Sequence, residues 1–210
     1  MNATQIALGT LAAASLLTTA CSASLTTSAT TGPPAVSGRA ANGLRYSAAS
    51  SRAVQPMPAP GSCHYRGSGL FAQPDPQCAP GALSPAVNQN NIGRTICRPG
   101  GYTASVRPPE SVTEPEKRAL MAAYGNHAPL ETVELDHIVS PSVGGAVNDP
   151  ANFYPEPNYP RVSADSYYQN PKDRLEERLH DLVCARQLPL ARAQADLAHG
   201  WPAAYRRYVR

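Results

Sequence analysis

Five cysteines constrain what this chain can fold into more than any other residue type does. One of them, Cys21, follows a leader of 20 residues that has no charged side chain and that is apolar or small from Ile6 to Ala20. Such a leader is typical of an export signal and is too short to be a comfortable membrane span. We therefore predict a signal peptide over residues 1–20 and export into an oxidising compartment, where the remaining cysteines form disulfides.

Cys21 has the surroundings of a lipoprotein cleavage site. Small residues precede it, as they do in bacterial lipoproteins whose cysteine becomes the acylated first residue of the mature protein. We predict lipidation of Cys21, attachment to a membrane, and a location in the cell envelope. Ordinary secretion with cleavage near residues 20–24 is the alternative, because Thr18 stands where Leu is usual and residues 1–5 contain no Lys or Arg.

The other four cysteines form an even set once Cys21 is acylated, and four cysteines allow three pairings. We favour Cys63 with Cys78, because that bridge closes a short loop with little else to hold it and contributes about 3 kcal/mol on the chain-entropy account. Cys97 with Cys184 would then tie the start of the domain to a late helix. A cysteine zinc site is the competing interpretation, although no two of the four have CxxC spacing.

Composition divides the rest of the chain into a tether and one domain. Residues 21–60 are mainly Ser, Thr, Ala, Gly and Pro, which cannot bury enough apolar area to offset chain ordering. We predict a disordered tether there and a single domain over residues 61–210, with a loop-rich lead-in. The net charge of +3 is too small to identify a partner.

Hydrophobic periodicity predicts a mixed α+β domain. A capping pattern at Thr113–Glu116 predicts a helix that continues to Tyr124. Residues 132–139 and 152–154 have the pattern of two strands, which predicts a hairpin with a long connecting loop. Residues 172–186 form an amphipathic pattern, and a further helix is expected to start at Pro189.

The order of chemical motifs along the chain is the most informative feature. A strand is followed by an Asp-His pair, a Gly-rich loop, an Asn and a helix that opens with Lys-Asp: Asp136-His137, Gly144-Gly145, Asn152 and Lys172-Asp173. This order resembles the HNH endonuclease family and its ββα-metal motif. Further segments resemble an exported bacterial subfamily: residues 95–97, 101–103, 106–109, 149–157 and 172–176. The resemblance implies an α+β fold with a small ββα-metal core, a disulfide-held lead-in and C-terminal helices.

The resemblance also implies roles for three residues. In the family the Asp is a metal ligand, the His is the general base and the Asn orients the base, so these roles fall on Asp136, His137 and Asn152. The chemistry needs such groups, because a neutral His can take a proton from water near pH 7 while a carboxylate holds a divalent cation against the phosphate. The alternatives are a structural His137 and an Asn152 that satisfies backbone groups in a turn.

The second metal ligand departs from the family pattern. The family usually has a His or Asn on the helix, and here no His lies in its early part. We choose Asp173, whose hard oxygen suits Mg²⁺ or Mn²⁺ better than Zn²⁺. Asn158 and Asn170 stay candidates because the interval between Asn152 and Asp173 is long, and Asp173 could instead cap the helix.

Three cations are predicted to contact phosphates: Arg107, Lys172 and Arg174. Solvated surface charge is the alternative for each. The resemblance implies a metal-dependent endonuclease that hydrolyses DNA, with DNA preferred to RNA only by family analogy, and we expect a monomer. An inhibitor protein is conceivable but nothing in the sequence identifies one. The competing hypothesis is a noncatalytic envelope module that binds a metal, a polyanion or a protein.

Overall fold

The computed structural model describes residues 38–158 and 170–209. The predicted signal peptide, Cys21 and the start of the tether lie outside these residues, as does most of the long interval before Asp173. The described part is mixed α+β, with four α-helices and two small sheets. The strands are β1 (Arg45–Tyr46), β2 (Ala82–Leu83), β3 (Val133–His137) and β4 (Phe153–Pro157), and the helices are α1 (Glu110–Ala123), α2 (Pro171–Cys184), α3 (Leu190–Ala198) and α4 (Trp201–Tyr208).

The predicted hairpin is present as β3 and β4, which pair antiparallel with His137 opposite Phe153. β3 ends at His137, and Pro141–Val143 then form a 3-10 turn. The loop folds back so tightly that a Cβ on Gly145 would lie 1.7 Å from the Val139 carbonyl oxygen. Glycine is therefore required at residue 145 by close backbone approach.

Residues 38–60 are part of the folded domain, which corrects the prediction that the tether extends to residue 60. β1 pairs in parallel with β2, and Leu44 is buried. The Asn148 amide donates to the carbonyls of Ser50 and Ala53. Composition missed this segment because few of its residues are large and apolar, and backbone pairing and hydrogen bonds from Asn148 also hold it.

Both predicted disulfides are confirmed. Cys63 bonds to Cys78, and Cys97 bonds to Cys184. Cys63 belongs to a buried hydrophobic cluster that joins α1 to the hairpin, and Cys78 packs against this cluster. The other bridge fastens the lead-in to the end of α2. Two disulfides are characteristic of proteins that fold in oxidising compartments.

The main core lies among the three C-terminal helices. Leu175, Leu179 and Val183 form the buried face of α2, and Trp201 of α4 packs in the same cluster. α1 begins at Glu110, so the capping pattern predicted at Thr113–Glu116 lies inside the helix and does not cap it. Pro109 precedes the helix in an extended conformation, and no side chain caps it. None of the helices in the described ranges is both long and apolar enough to cross a membrane.

Candidate active site

A cavity of about 320 Å³ lies where the end of β3 meets the start of α2. Four of the predicted site residues line it: Arg107, Asp136, His137 and Asp173. Glu110, Glu134 and Glu176 add further carboxylates to the wall. The structure thus gathers residues from three separate segments into one acidic pocket.

His137 lies partly exposed at the wall of this pocket. Its ring packs against Phe153, with ring centroids 4.8 Å apart, and Nε2 lies 3.4 Å from the Val147 carbonyl oxygen. We assign the proton to Nε2 because a carbonyl oxygen only accepts, which leaves Nδ1 as the basic nitrogen. Burial, reinforced by the positive charges of Arg107 and Lys172, lowers the pKa of His137 to about 3. The imidazole is therefore neutral at pH 7, with Nδ1 unprotonated, although a pKa this low also makes it a weak base.

Asp136 is buried beside the ammonium group of Lys172. Asp136 Oδ2 lies 2.6 Å from Lys172 Nζ. Nζ donates to the His137 carbonyl oxygen at 2.6 Å and to Glu176 Oε1. Burial alone would lower the pKa of Lys172, but the surrounding carboxylates raise it above its ordinary value. Asp136 and Lys172 therefore form a charged pair.

The predicted phosphate contact of Lys172 is corrected by this geometry. The side chain is 1% exposed and its ammonium group is directed at protein acceptors. Arg174 is exposed on α2 and does not line the pocket, whereas Arg107 is exposed and does. Of the three predicted phosphate ligands, only Arg107 stands at the cavity.

The carboxylates of the pocket are crowded and desolvated. Burial and the charge of Asp136 raise the pKa of Glu134 well above its ordinary value. The same two causes raise the pKa of Asp173 to about 6. Burial raises the pKa of Glu176 to about 7 despite the opposing charge of Lys172. Acidic groups thus outnumber the cations available to neutralise them.

These oxygens fit the chemistry of a hard divalent cation. Mg²⁺ and Mn²⁺ prefer carboxylate ligands, and Asp136 is a buried carboxylate whose Oδ2 is paired with the Lys172 ammonium. In this structure, one carboxylate oxygen of Asp136 and one of Glu176 both contact Lys172 Nζ. Among the described residues, one group of three His, Cys, Asp or Glu side chains has its ligand atoms within 4.8 Å of one another. This group consists of Cys97, His180 and Cys184. Its two sulfurs are bonded to each other, so they are not free thiolate ligands.

Asn152 does not orient His137 through its side chain, which corrects the predicted role. Its amide is fully buried and bonds only to backbone groups. Oδ1 accepts from Val139 N at 2.9 Å and from Ala82 N at 3.3 Å, while Nδ2 donates to the carbonyls of Val139 and Ala146 at 3.0 and 2.8 Å. The Asn152 backbone also accepts from Ile138 N. Asn152 therefore fixes the loop that follows the Asp-His pair.

Asp173 both caps α2 and faces the pocket. Asp173 Oδ2 accepts from Asn170 N at 3.0 Å, and Asn170 Oδ1 accepts from Asp173 N at 2.9 Å. The Asn170 amide also donates to Glu156 at 2.5 Å. The Asn158 amide donates to Glu134 at 2.9 Å. The two asparagines proposed as alternative ligands are thus engaged with neighbouring acidic groups.

Sequence reasoning missed three acidic residues of the pocket, Glu110, Glu134 and Glu176, and local spacing gives a signal for the last two. Glu134 lies two residues before Asp136 in β3, and residues separated by two project from the same face of a strand. Glu176 lies four residues after Lys172, which places both on one face of α2. Each signal is visible in the sequence once the strand and the helix are assigned.

No protein-family model, curated protein or solved structure matches the chain. The resemblance to HNH endonucleases therefore remains a prediction from the motifs.

Proposed function

We propose that this chain is an exported, metal-dependent endonuclease that hydrolyses DNA phosphodiester bonds with His137 as general base. The observation that carries the proposal is the position of His137. A histidine that is neutral at pH 7 shares one cavity with an excess of carboxylates and with Arg107. This combination provides a proton acceptor, ligands for a hard cation and a cation for a phosphate oxygen.

In the proposed reaction, His137 Nδ1 takes a proton from the attacking water while Arg107 binds a nonbridging phosphate oxygen. Asp136 and Asp173, with Glu176 beside them, would hold Mg²⁺ or Mn²⁺, which would offset the negative charge that grows on the phosphoryl group. The bond from phosphorus to the leaving 3′ oxygen breaks, this oxygen takes a proton from solvent, and His137 returns its proton to solvent. The products by family analogy are a 5′ phosphate and a 3′ hydroxyl. Asn152 acts as a positioning residue because it holds the loop next to His137.

Export is supported by the two disulfides together with the uncharged leader. We propose that Cys21 carries a lipid anchor, with free secretion as the alternative. DNA is chosen over RNA from the family resemblance alone, since no residue of the pocket is identified as a reader of a 2′ hydroxyl.

A noncatalytic envelope module is the second candidate. It is favoured by the pair of Asp136 and Lys172, because the predicted metal ligand is already neutralised by a protein cation. A scaffold that keeps this pair would bind its partner through the outer surface of the pocket without turnover.

Plasmid cleavage separates the two functions. The purified, oxidised chain is incubated with supercoiled plasmid and Mg²⁺ or Mn²⁺, with and without a chelator. We expect cleavage that the chelator abolishes and that His137→Ala reduces by about 100-fold or more. His127→Ala is the matched control, because His127 is exposed and does not line the cavity. Equal background in the wild type and in folded His137→Ala would support the binding module instead.

A further inference from the structure

We propose that the Lys172 ammonium occupies the position of the divalent ion in the metal-free protein and moves away from this position when the ion binds. We call this the stand-in role of Lys172. The inference rests on the proposed function, because it assigns a role to Lys172, whose Nζ contacts two carboxylates of the pocket wall, Asp136 and Glu176. Lys172 would hold the carboxylates of Asp136 and Glu176 in place before the ion binds.

The contacts of Nζ are those expected of a cation at a ligand site. Three oxygens surround it, and two of them belong to the carboxylates of Asp136 and Glu176. The third is the His137 carbonyl oxygen, the backbone group of the proposed general base. Asp136 Oδ2 lies 2.6 Å from Nζ. The same carboxylate oxygens are of the kind that a hard divalent cation takes as ligands.

Electrostatics explain why some cation must be present in the free protein. Asp136 is buried and Glu176 is mostly buried, and both lie near Glu134 and Glu156. Burial, and then the charge of Asp136, raise the pKa values of the three glutamates. Without a positive charge at the centre, the ionised carboxylates would repel one another and separate. Lys172 therefore keeps the oxygens of two ligands within reach of a single point.

The helix does not favour this position for a lysine. Lys172 follows Pro171 in the first turn of α2, where the backbone carries a partial positive charge. A cation there is opposed by the helix dipole, so the carboxylates and not the helix hold it. In the proposal, rotation about the bonds of the long side chain moves the ammonium away from the carboxylates when the ion binds.

The chain has only two lysines, which makes the first measurement simple. The oxidised protein is treated with an amine-acylating reagent with and without saturating Mg²⁺, and modification of each lysine is followed by mass spectrometry. We expect Lys172 to be protected without Mg²⁺ and to react at least tenfold faster with it. Lys117, whose Nζ donates to the Leu130 carbonyl outside the pocket, is the internal control and its rate should not change. Bound Mg²⁺ with Lys172 still protected would overturn the proposal.

Mn²⁺ binding by Lys172→Met is the second measurement, with Lys117→Met as control. We expect at least tenfold tighter Mn²⁺ binding in Lys172→Met, because the competing charge is gone. Circular dichroism verifies folding, and Lys172→Gln replaces the Met variant if it does not fold. Equal binding in the wild type and the variant would overturn the stand-in role and leave the proposed function intact.

Two further outcomes distinguish the proposals. Binding by the variant alone would support the stand-in role and overturn metal dependence in the wild type. The absence of binding in both proteins would overturn both proposals.

Discussion

Asn152 and Val139 are joined by two hydrogen bonds, one in each direction, between a side-chain amide and a backbone. Val139 N donates to Asn152 Oδ1 at 2.9 Å, and Asn152 Nδ2 donates to the Val139 carbonyl at 3.0 Å. The amide thus imitates a neighbouring strand, and it holds the chain just beyond His137. This contact makes the loop after the Asp-His pair a defined structure.

Replacement of Asn152 by Ala should destabilise the protein by about 2–4 kcal/mol, because several buried backbone groups lose their partners. Urea unfolding of the oxidised protein measures the change. Asn126→Ala is a useful comparison, since Asn126 is only partly buried and its amide donates to the Tyr65 hydroxyl. Unchanged stability with lost cleavage would show that Asn152 acts on the reaction directly.

Among the described glycines whose φ lies outside the left-handed region, Gly145 should lose the most stability when it is replaced by Ala. The new Cβ would lie 1.7 Å from the Val139 carbonyl oxygen, so the loop has to open. We expect a loss of at least about 2 kcal/mol in the free energy of unfolding, measured by thermal and urea denaturation. Gly93→Ala is the matched control, because a Cβ added at Gly93 would meet no atom within 4 Å beyond its chain neighbours. Similar stability of the two variants would contradict the close approach.

The sequence predicted the features of the fold that depend on the number of cysteines or on patterns among residues close together in the chain. The even set of cysteines and the short loop between Cys63 and Cys78 led to the correct pairing, and strand alternation located the hairpin. The burial of Lys172 could not be predicted, because a Lys-Asp dipeptide at a helix start gives no sign of the carboxylate that lies 36 positions earlier at Asp136. For Asn152, its spacing in the sequence correctly predicted that it lies near the Asp-His pair. Which groups its side-chain amide bonds to depends on how the loop after this pair folds, and the sequence does not give that.

The pH dependence of stability should report the neutral state of His137. In the unfolded chain a histidine takes up a proton below about pH 6.5, whereas the folded protein resists protonation down to a pKa of about 3. The unfolded state binds more protons between these values, so stability falls as the pH is lowered through this window, by up to about 1.4 kcal/mol per pH unit.

Urea unfolding of the wild type and of His137→Gln between pH 4 and 8 tests this dependence. We expect the difference in unfolding free energy between them to be constant above about pH 6.5 and to shrink at lower pH. The other titrating groups are common to both proteins and largely cancel. A difference that does not vary with pH would mean that His137 titrates normally in the folded protein.

The two disulfides should contribute unequally. Cys97 and Cys184 are 87 residues apart, and Cys63 and Cys78 are 15 apart. Because the longer loop removes more entropy from the unfolded chain, we expect paired Ser substitutions to cost about 4.5 kcal/mol for the first bridge and about 3 kcal/mol for the second. Urea unfolding of the two double variants gives the comparison. The reverse order would show that native contacts near Cys63, and not chain entropy, determine the cost.

Arg107 and Arg174 provide a matched pair for phosphate binding. Both are exposed arginines, but only Arg107 lines the cavity that contains His137. We expect Arg107→Ala to lower kcat/KM for plasmid cleavage by about 10- to 100-fold, because a charge-assisted hydrogen bond to the phosphate is lost. Arg174→Ala should stay within about twofold, since a solvated charge outside the pocket contributes little. Raised salt should weaken substrate binding by the wild type more than by Arg107→Ala, because the variant has one phosphate contact fewer. Equal losses in the two variants would place the DNA along the outer face of α2 and away from His137.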